Sequence, residues 1–264
     1  MPGLLTGKRG LVMGVANERS IAWGIAKALA DEGAELAFSY QGEAFGRRVE
    51  PLAASVGSDI LFDLDVTDDA SMEAGFATLA ARWDSLDFVV HAIAFADKAE
   101  LAADFRFKDT SRENFTQSML ISCYSFMDVA RRASAMMPNG GSILTLTFEG
   151  SQKVMPCYNV MGVAKAGLET AVRYLANDLG PDGIRVNAIS PGPMKTLAGS
   201  AIGAARKTYK HSETNAPLQA NASLEGIGGT AVYLTSDQSI NTTGQIMMVD
   251  GGFHIMGMPR VENL

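Results

Sequence analysis

Short apolar runs rich in β-branched and aromatic residues recur along the chain, and longer stretches between them repeat their apolar positions every three to four residues. Alternation of this kind predicts strands joined by helices. The strands are expected over 10–14, 35–40, 60–66, 87–94, 142–148, 184–189 and 245–250, and the helices over 20–32, 42–56, 70–83, 112–137, 158–179 and 224–235. Pro51 is expected to break or restart the second helix. Strand-helix alternation of this regularity implies an α/β protein with a doubly wound, seven-stranded parallel sheet. No repeat, low-complexity segment or Pro/Ser/Gly linker divides the chain, so one domain over 1–264 is expected. The segment 191–218 stands apart in texture: it is polar, basic in its middle and rich in small residues, and reads as a mobile substrate-binding loop over the strand ends.

Composition narrows the function. The chain has 264 residues, 47% hydrophobic, with net charge -7, so it suits a large core and carries no general basic field to attract nucleic acid. Its two cysteines, Cys123 and Cys157, build no disulfide framework and sit in no metal-type pair, which points to a reducing compartment and no metal. No window approaches a membrane span and the amino terminus lacks the long apolar stretch of a secretion signal, so a cytoplasmic protein without a membrane partner is expected.

Four segments carry chemistry. The first strand ends in GVANERSIAWGIA (14–26), where Gly14 permits a tight turn and the N–H groups opening the next helix, near Ser20 and Ile21, can hold a pyrophosphate. It departs from G-x-G-x-x-G, and a plain turn with a serine N-cap reads the same. After the second strand comes Gln41, with Arg47 and Arg48 nearby, in place of the acid that usually grips an adenosine ribose. Asp65 and Val66 close the third strand, where they can meet an adenine or merely cap a turn; small residues close the fourth, at 92–96. The strongest signal is YNVMGVAK (158–165): Tyr158 and Lys165 are seven apart, which on a helix places both on one face, with the ammonium expected to lower the phenol pKa.

Together these residues resemble the short-chain dehydrogenase/reductase superfamily, its Tyr-x-x-x-Lys stretched here to six intervening residues. With PGPMKTLA (191–198) and the ending VDGGFHIMGMP (249–259), the chain is similar over essentially its whole length to the NADH-dependent enoyl-acyl-carrier-protein reductases of bacterial type II fatty-acid synthesis. The resemblance implies a Rossmann-type fold, a homotetramer, an enoyl-acyl-carrier-protein substrate and NADH rather than NADPH. It makes Tyr158 and Lys165 catalytic, Tyr158 on the thioester carbonyl and Lys165 on the nicotinamide ribose. Gly14, Ser20 and Ile21 would face the pyrophosphate, Gln41 the ribose, Asp65 and Val66 the adenine, Ile93 the middle of the cofactor, and Met194, Thr196, Leu197 and Ala198 the nicotinamide, while Ala96 and Phe148 join Tyr158 at the substrate. Most relatives carry a second tyrosine ten residues before the active one; here Phe148 stands there, as in the mycobacterial long-chain enoyl reductases, and it has no hydroxyl to donate. Two other readings stand beside this one. A short-chain 3-oxoacyl ketoreductase would show three residues between Tyr and Lys and a serine after the fifth strand, where this chain has Thr145 and Thr147; a non-catalytic NAD(H)-sensing protein would explain Phe148.

Overall fold

A computed structural model describes residues 3–264; Met1 and Pro2, which open the amino-terminal stretch read above, lie outside the described residues. The strands are β1 (Arg9–Met13), β2 (Glu35–Tyr40), β3 (Ile60–Asp63), β4 (Phe88–His91), β5 (Gly141–Leu146), β6 (Ile184–Pro191) and β7 (Ile246–Val249). All pair in parallel in the order β3-β2-β1-β4-β5-β6-β7. Leu11, Val12 and Met13 of β1 and Phe88, Val89 and Val90 of β4 are fully buried, as strands covered on both faces must be.

Successive residues of each strand serve opposite layers. Val12, Phe88 and Val90 pack with helices α1 (Ile21–Asp31), α2 (Glu43–Ser55) and α8 (Leu224–Thr235), contributing Ile25, Val49 and Ile227 among others. Leu11, Met13 and Val89 face helices α3 (Asp69–Ala80), α5 (Ser125–Ser134) and α6 (Val160–Leu179), which contribute Met72, Phe126 and Leu168. The sheet is thus doubly wound, as the alternation predicts. Between β1 and β4 the direction of winding reverses, opening a crevice at the carboxyl ends of the strands.

Several elements differ from expectation. Pro51 neither breaks nor restarts α2, because it sits exposed on the outer surface of that helix, where water can satisfy the carbonyl it leaves unpaired. The helix expected over 112–137 is α4 (Arg112–Met119), one wide π-type turn (Leu120–Tyr124) and α5. That turn seats Ser122 against the backbone of Phe95, whose N–H donates to the Ser122 hydroxyl at 2.9 Å. Inside 191–218 lies a helix missed from sequence, α7 (Ala205–Asn215), because only Ser212 and Asn215 of it are buried and it shows no apolar period. The segment is therefore structured rather than an open loop, with Asn215 accepting from the Arg260 N–H at 2.9 Å. Among the described residues, no helix is long and apolar enough to cross a membrane.

Candidate active site

Gly14 leaves β1 with φ +92°, a conformation that disfavours any other residue, and a Cβ there would overlap the Ala92 carbonyl group, whose carbon would lie 2.6 Å away. The close approach brings the first turn against the end of β4. Ser20 occupies the N-cap of α1 but does not cap it: its hydroxyl turns back, donating to the Asn17 carbonyl at 2.5 Å and accepting from the Ala16 N–H at 3.3 Å. The first N–H groups of α1 are thereby left for a ligand.

Gln41 and Asp65 meet, the amide donating to the carboxylate at 2.8 Å, and Asp63 accepts from the Gly42 N–H at 2.8 Å. The acid absent after β2 thus has a counterpart in Asp65, just past β3, which the sequence places at an adenine. Asp65 also accepts from the N–H and hydroxyl of Thr67, at 2.8 and 2.7 Å, so it caps its turn while facing Gln41; hydrogen bonds from Thr67 and Gln41 hold its carboxyl below the usual range, against burial that pushes it up. Arg47 is drawn to Glu43 at 3.1 Å and Arg48 lies over the Phe45 ring. Val66 packs into the core layer beside α3.

A separate cavity of about 330 Å³ opens at the ends of β4, β5 and β6. Ile21, Ile93, Ala96, Phe148, Tyr158, Lys165, Met194, Thr196 and Ala198 all line it, drawn from five stretches of chain. Gly14, Ser20, Gln41, Asp65 and Val66 lie outside this cavity, toward β1 to β3, and Leu197 is half exposed and does not line it. One end of the cavity is apolar: Leu101, Tyr158 and Met161 pack with Ala96, Phe148, Met155 and Ile202.

Tyr158 is not on the helix with Lys165. It sits in a turn two residues ahead of α6, flanked by Cys157 at φ +63° and Asn159 at φ +44°, both outside the helical region. Asn159 is tied by its amide to the Glu100 carbonyl at 2.8 Å. The turn, rather than helical spacing, brings the phenol to the cavity, where its ring meets Phe148 edge-on at 4.9 Å between centroids. Lys165 Nζ donates to the Leu146 carbonyl at 2.7 Å, one of the three bonds an ammonium can make.

The electrostatics correct a second expectation. Burial pushes the Tyr158 phenol well above its ordinary value, and Glu169 pushes it further; Lys165 does not lower it. Burial also pulls Lys165 down to about 8, partly offset by Cys123 and Glu169. At neutral pH the cavity therefore holds a neutral phenol donor and a lysine that is still mostly protonated but begins to discharge just above neutrality.

Two polar residues beneath the cavity escaped sequence reading. His91, at the end of β4, is fully buried and held near 3 by burial and by the charge of Lys165. Its Nε2 lies 2.8 Å from the Ser125 hydroxyl, which itself donates to the Ile121 carbonyl, and its Nδ1 lies 3.1 Å from the Thr145 hydroxyl. Glu169 accepts from the Thr147 hydroxyl at 2.7 Å, and the Thr145 hydroxyl lies 3.1 Å from the His91 carbonyl. An acid four residues after Lys165, on the inward face of α6, was the available signal. Both threonine hydroxyls are thus engaged, leaving no counterpart to a ketoreductase serine.

The residues present fit a dinucleotide. Backbone N–H groups of a helix terminus, a Gly14 turn without room for a side chain and a buried ammonium with bonds to spare all lie at the carboxyl ends of the parallel strands. Comparison with known proteins gives the same direction. The family model described as Enoyl-(Acyl carrier protein) reductase matches residues 14–254. The chain is 56% identical to the NADH enoyl-acyl-carrier-protein reductase 2 of Rhizobium meliloti, over 100% of this chain and 98% of that one. The crystal structure of the enoyl-acyl-carrier-protein reductase of Anaplasma phagocytophilum in complex with NAD superposes with TM-score 0.95 at 51% identity, covering 99% of each chain. That of FabI from Candidatus Liberibacter asiaticus superposes with TM-score 0.96 at 52% identity, covering 98% of this chain and 100% of that one.

Proposed function

Because the chain belongs to the enoyl-(acyl carrier protein) reductase family, we propose that the cavity residues themselves carry that family's reaction, with Tyr158 and Lys165 at its centre. The protein is an NADH-dependent oxidoreductase that reduces the trans-2 double bond of enoyl-acyl-carrier-protein thioesters in fatty-acid elongation. The observation that carries the residue assignment is that Tyr158 and Lys165 line one cavity, Tyr158 within an apolar cluster of its lining.

When bound, NADH supplies the hydride that adds to the β-carbon of the enoyl thioester. Tyr158 donates its O–H to the thioester oxygen, where charge develops as the double bond accepts hydride; burial keeps the phenol protonated and so fit to donate. The α-carbon takes its proton from solvent. Lys165 holds ribose hydroxyls with the bonds that Leu146 leaves free. Gly14, Ser20 and Ile21 would present backbone N–H groups to the pyrophosphate, Gln41, Asp65 and Val66 would hold the adenosine end and Ile93 the middle, and Met194, Thr196 and Ala198 from the cavity lining, with the half-exposed Leu197 beside them, would hold the nicotinamide. Ala96 and Phe148 shape the acyl end with Met155 and Ile202.

A homotetramer is the assembly we infer, supported by the exposed Phe115, Tyr124 and Met127 along α4 and α5. A cytoplasmic location suits the carrier-protein substrate and NADH. The test follows NADH consumption with crotonyl, dodecenoyl and acetoacetyl thioesters. Turnover of the two enoyl thioesters, lost in Tyr158→Phe, supports the assignment. Turnover of acetoacetyl thioester alone would mean a ketoreductase, and tight NADH binding without turnover, in wild type and in Phe148→Tyr, would mean a sensor.

A further inference from the structure

Glu169 lies one helical turn beyond Lys165 on α6 and is buried, with 5% of its surface exposed. A carboxylate this deep persists only with donors around it. It has three. Thr147 donates its hydroxyl to Oε1 at 2.7 Å, Ser151 donates to the same oxygen, and the Gln152 amide reaches Oε2 at 3.3 Å. All three donors belong to one segment that leaves β5 and turns past the cavity, closed on itself by Ser151 N–H to the Phe148 carbonyl at 3.0 Å and Gln152 N–H to the Glu149 carbonyl at 2.9 Å.

Between the pinned residues lie the two that touch Tyr158. Phe148 packs edge-on against its ring, and Gly150 approaches so closely that a Cβ would sit 2.8 Å from Tyr158 Cε1. The carboxylate holds the segment, and the segment holds the ring. Glu149, the other buried acid of the segment, is committed to Lys153 at 2.6 Å and does not share this duty.

We propose that Glu169 is a positioning residue for the reduction, clamping 147–152 so that the Tyr158 hydroxyl is aimed into the cavity. The proposal rests on the assignment of Tyr158 above. A residue that merely filled space would need none of these donors, and an apolar side chain would serve better. Glu169 also acts on Lys165, whose other charged or titratable neighbours are Cys123 in the wide turn and His91 at the end of β4. Its negative charge favours the ammonium form, against burial.

The test compares Glu169→Gln, Ser151→Ala and Tyr158→Phe with the wild-type enzyme, reading kcat, the KM for NADH and NADH affinity from pH 6 to 9.5. At pH 6, where Lys165 is protonated in every variant, Glu169→Gln should lower kcat about tenfold with NADH affinity within about twofold of wild type. The alkaline loss of NADH affinity should also begin at lower pH, because Lys165 loses an anionic neighbour. Ser151→Ala keeps the charge and should lower kcat about threefold with the alkaline limb unmoved. A kcat within twofold of wild type in Glu169→Gln overturns the proposal, as does a kcat loss with an unmoved limb, which would mark Glu169 as structural only. If Glu169→Gln does not fold, an unchanged kcat in Ser151→Ala overturns it. A Tyr158→Phe variant that keeps its activity would instead overturn the assignment of Tyr158.

Discussion

Raising the pH from 7 to 9.5 discharges Lys165 and should weaken NADH binding while stabilising the ligand-free protein. Burial holds Lys165 at about 8 against an ordinary 10.5. The Tyr158 phenol is pushed well up by burial and His91 is held near 3, so neither titrates in the interval, and burial moves the Cys123 thiol upward, away from neutrality. A charged donor makes a hydrogen bond of about 1.5–3 kcal/mol where a neutral one makes about 1, so on the proposed assignment the protonated form is the one expected to hold the ribose. If binding requires it, affinity falls about fourfold by pH 8.5 and about thirtyfold by pH 9.5. Binding in that range takes up a proton, which calorimetry detects by repeating the titration in buffers of different ionisation enthalpy. The unliganded protein moves the other way. Between pH 8 and 10.5 the unfolded chain binds a proton at this lysine that the folded chain does not, so the cost of burying the ammonium is relieved and thermal stability rises. Lys165→Met should flatten both responses. An NADH affinity that stays level from pH 7 to 9.5, or a Lys165→Met protein that keeps the wild-type slope, would refute the reasoning.

Other substitutions probe neighbouring parts of the site. Tyr158→Phe removes one oxygen from a ring that stays packed between Phe148 and Gly150, so kcat should fall about 10²–10³-fold with little change in Tm; a loss under fivefold counts against Tyr158 as the oxyanion donor. Phe148→Tyr adds a hydroxyl to a side chain that lines the cavity and should leave kcat within about threefold or raise it, whereas a collapse in steady-state turnover would show that Phe148 does more than shape the acyl end. Gly14→Ala forces a side chain onto the Ala92 carbonyl at φ +92° and should cost about 3 kcal/mol, a drop in Tm of roughly 6–12 °C; a Tm within 2 °C of wild type would mean the turn yields easily.

Much of this architecture was legible because it rests on local pattern. Helix α8 and strand β2 begin and end where the apolar periodicity and the flanking polar residues predict. What escaped depends on tertiary contact. Tyr158 and Lys165 share a cavity as sequence spacing predicts, yet for another reason: Tyr158 sits in a turn with positive φ at Cys157 and Asn159, and Asn159 is tied to the Glu100 carbonyl 59 residues away. Asp65 is marked by its place after the third strand, but its pairing with Gln41, 24 residues earlier, is a tertiary contact that no local motif could announce. Helix α7 carries polar residues on nearly every face and is anchored by residues near the carboxyl terminus, leaving no apolar stripe to read. The phenol's raised pKa follows from burial, which spacing alone does not report.

The parallel order of the strands ties ligand binding to the completeness of folding. Every site residue sits beyond a carboxyl strand end, and the stretches that meet there run from Gly14 to Ala198, so no hairpin or local unit holds the site by itself. Partly folded forms should therefore bind NADH poorly, while the finished sheet binds it fully. Mass action then makes NADH a folding ligand, adding about 2.7 kcal/mol to stability when present at a hundred times its dissociation constant. A cell rich in reduced cofactor would hold more of this enzyme intact, so its abundance as well as its turnover would follow the redox state of the nicotinamide pool.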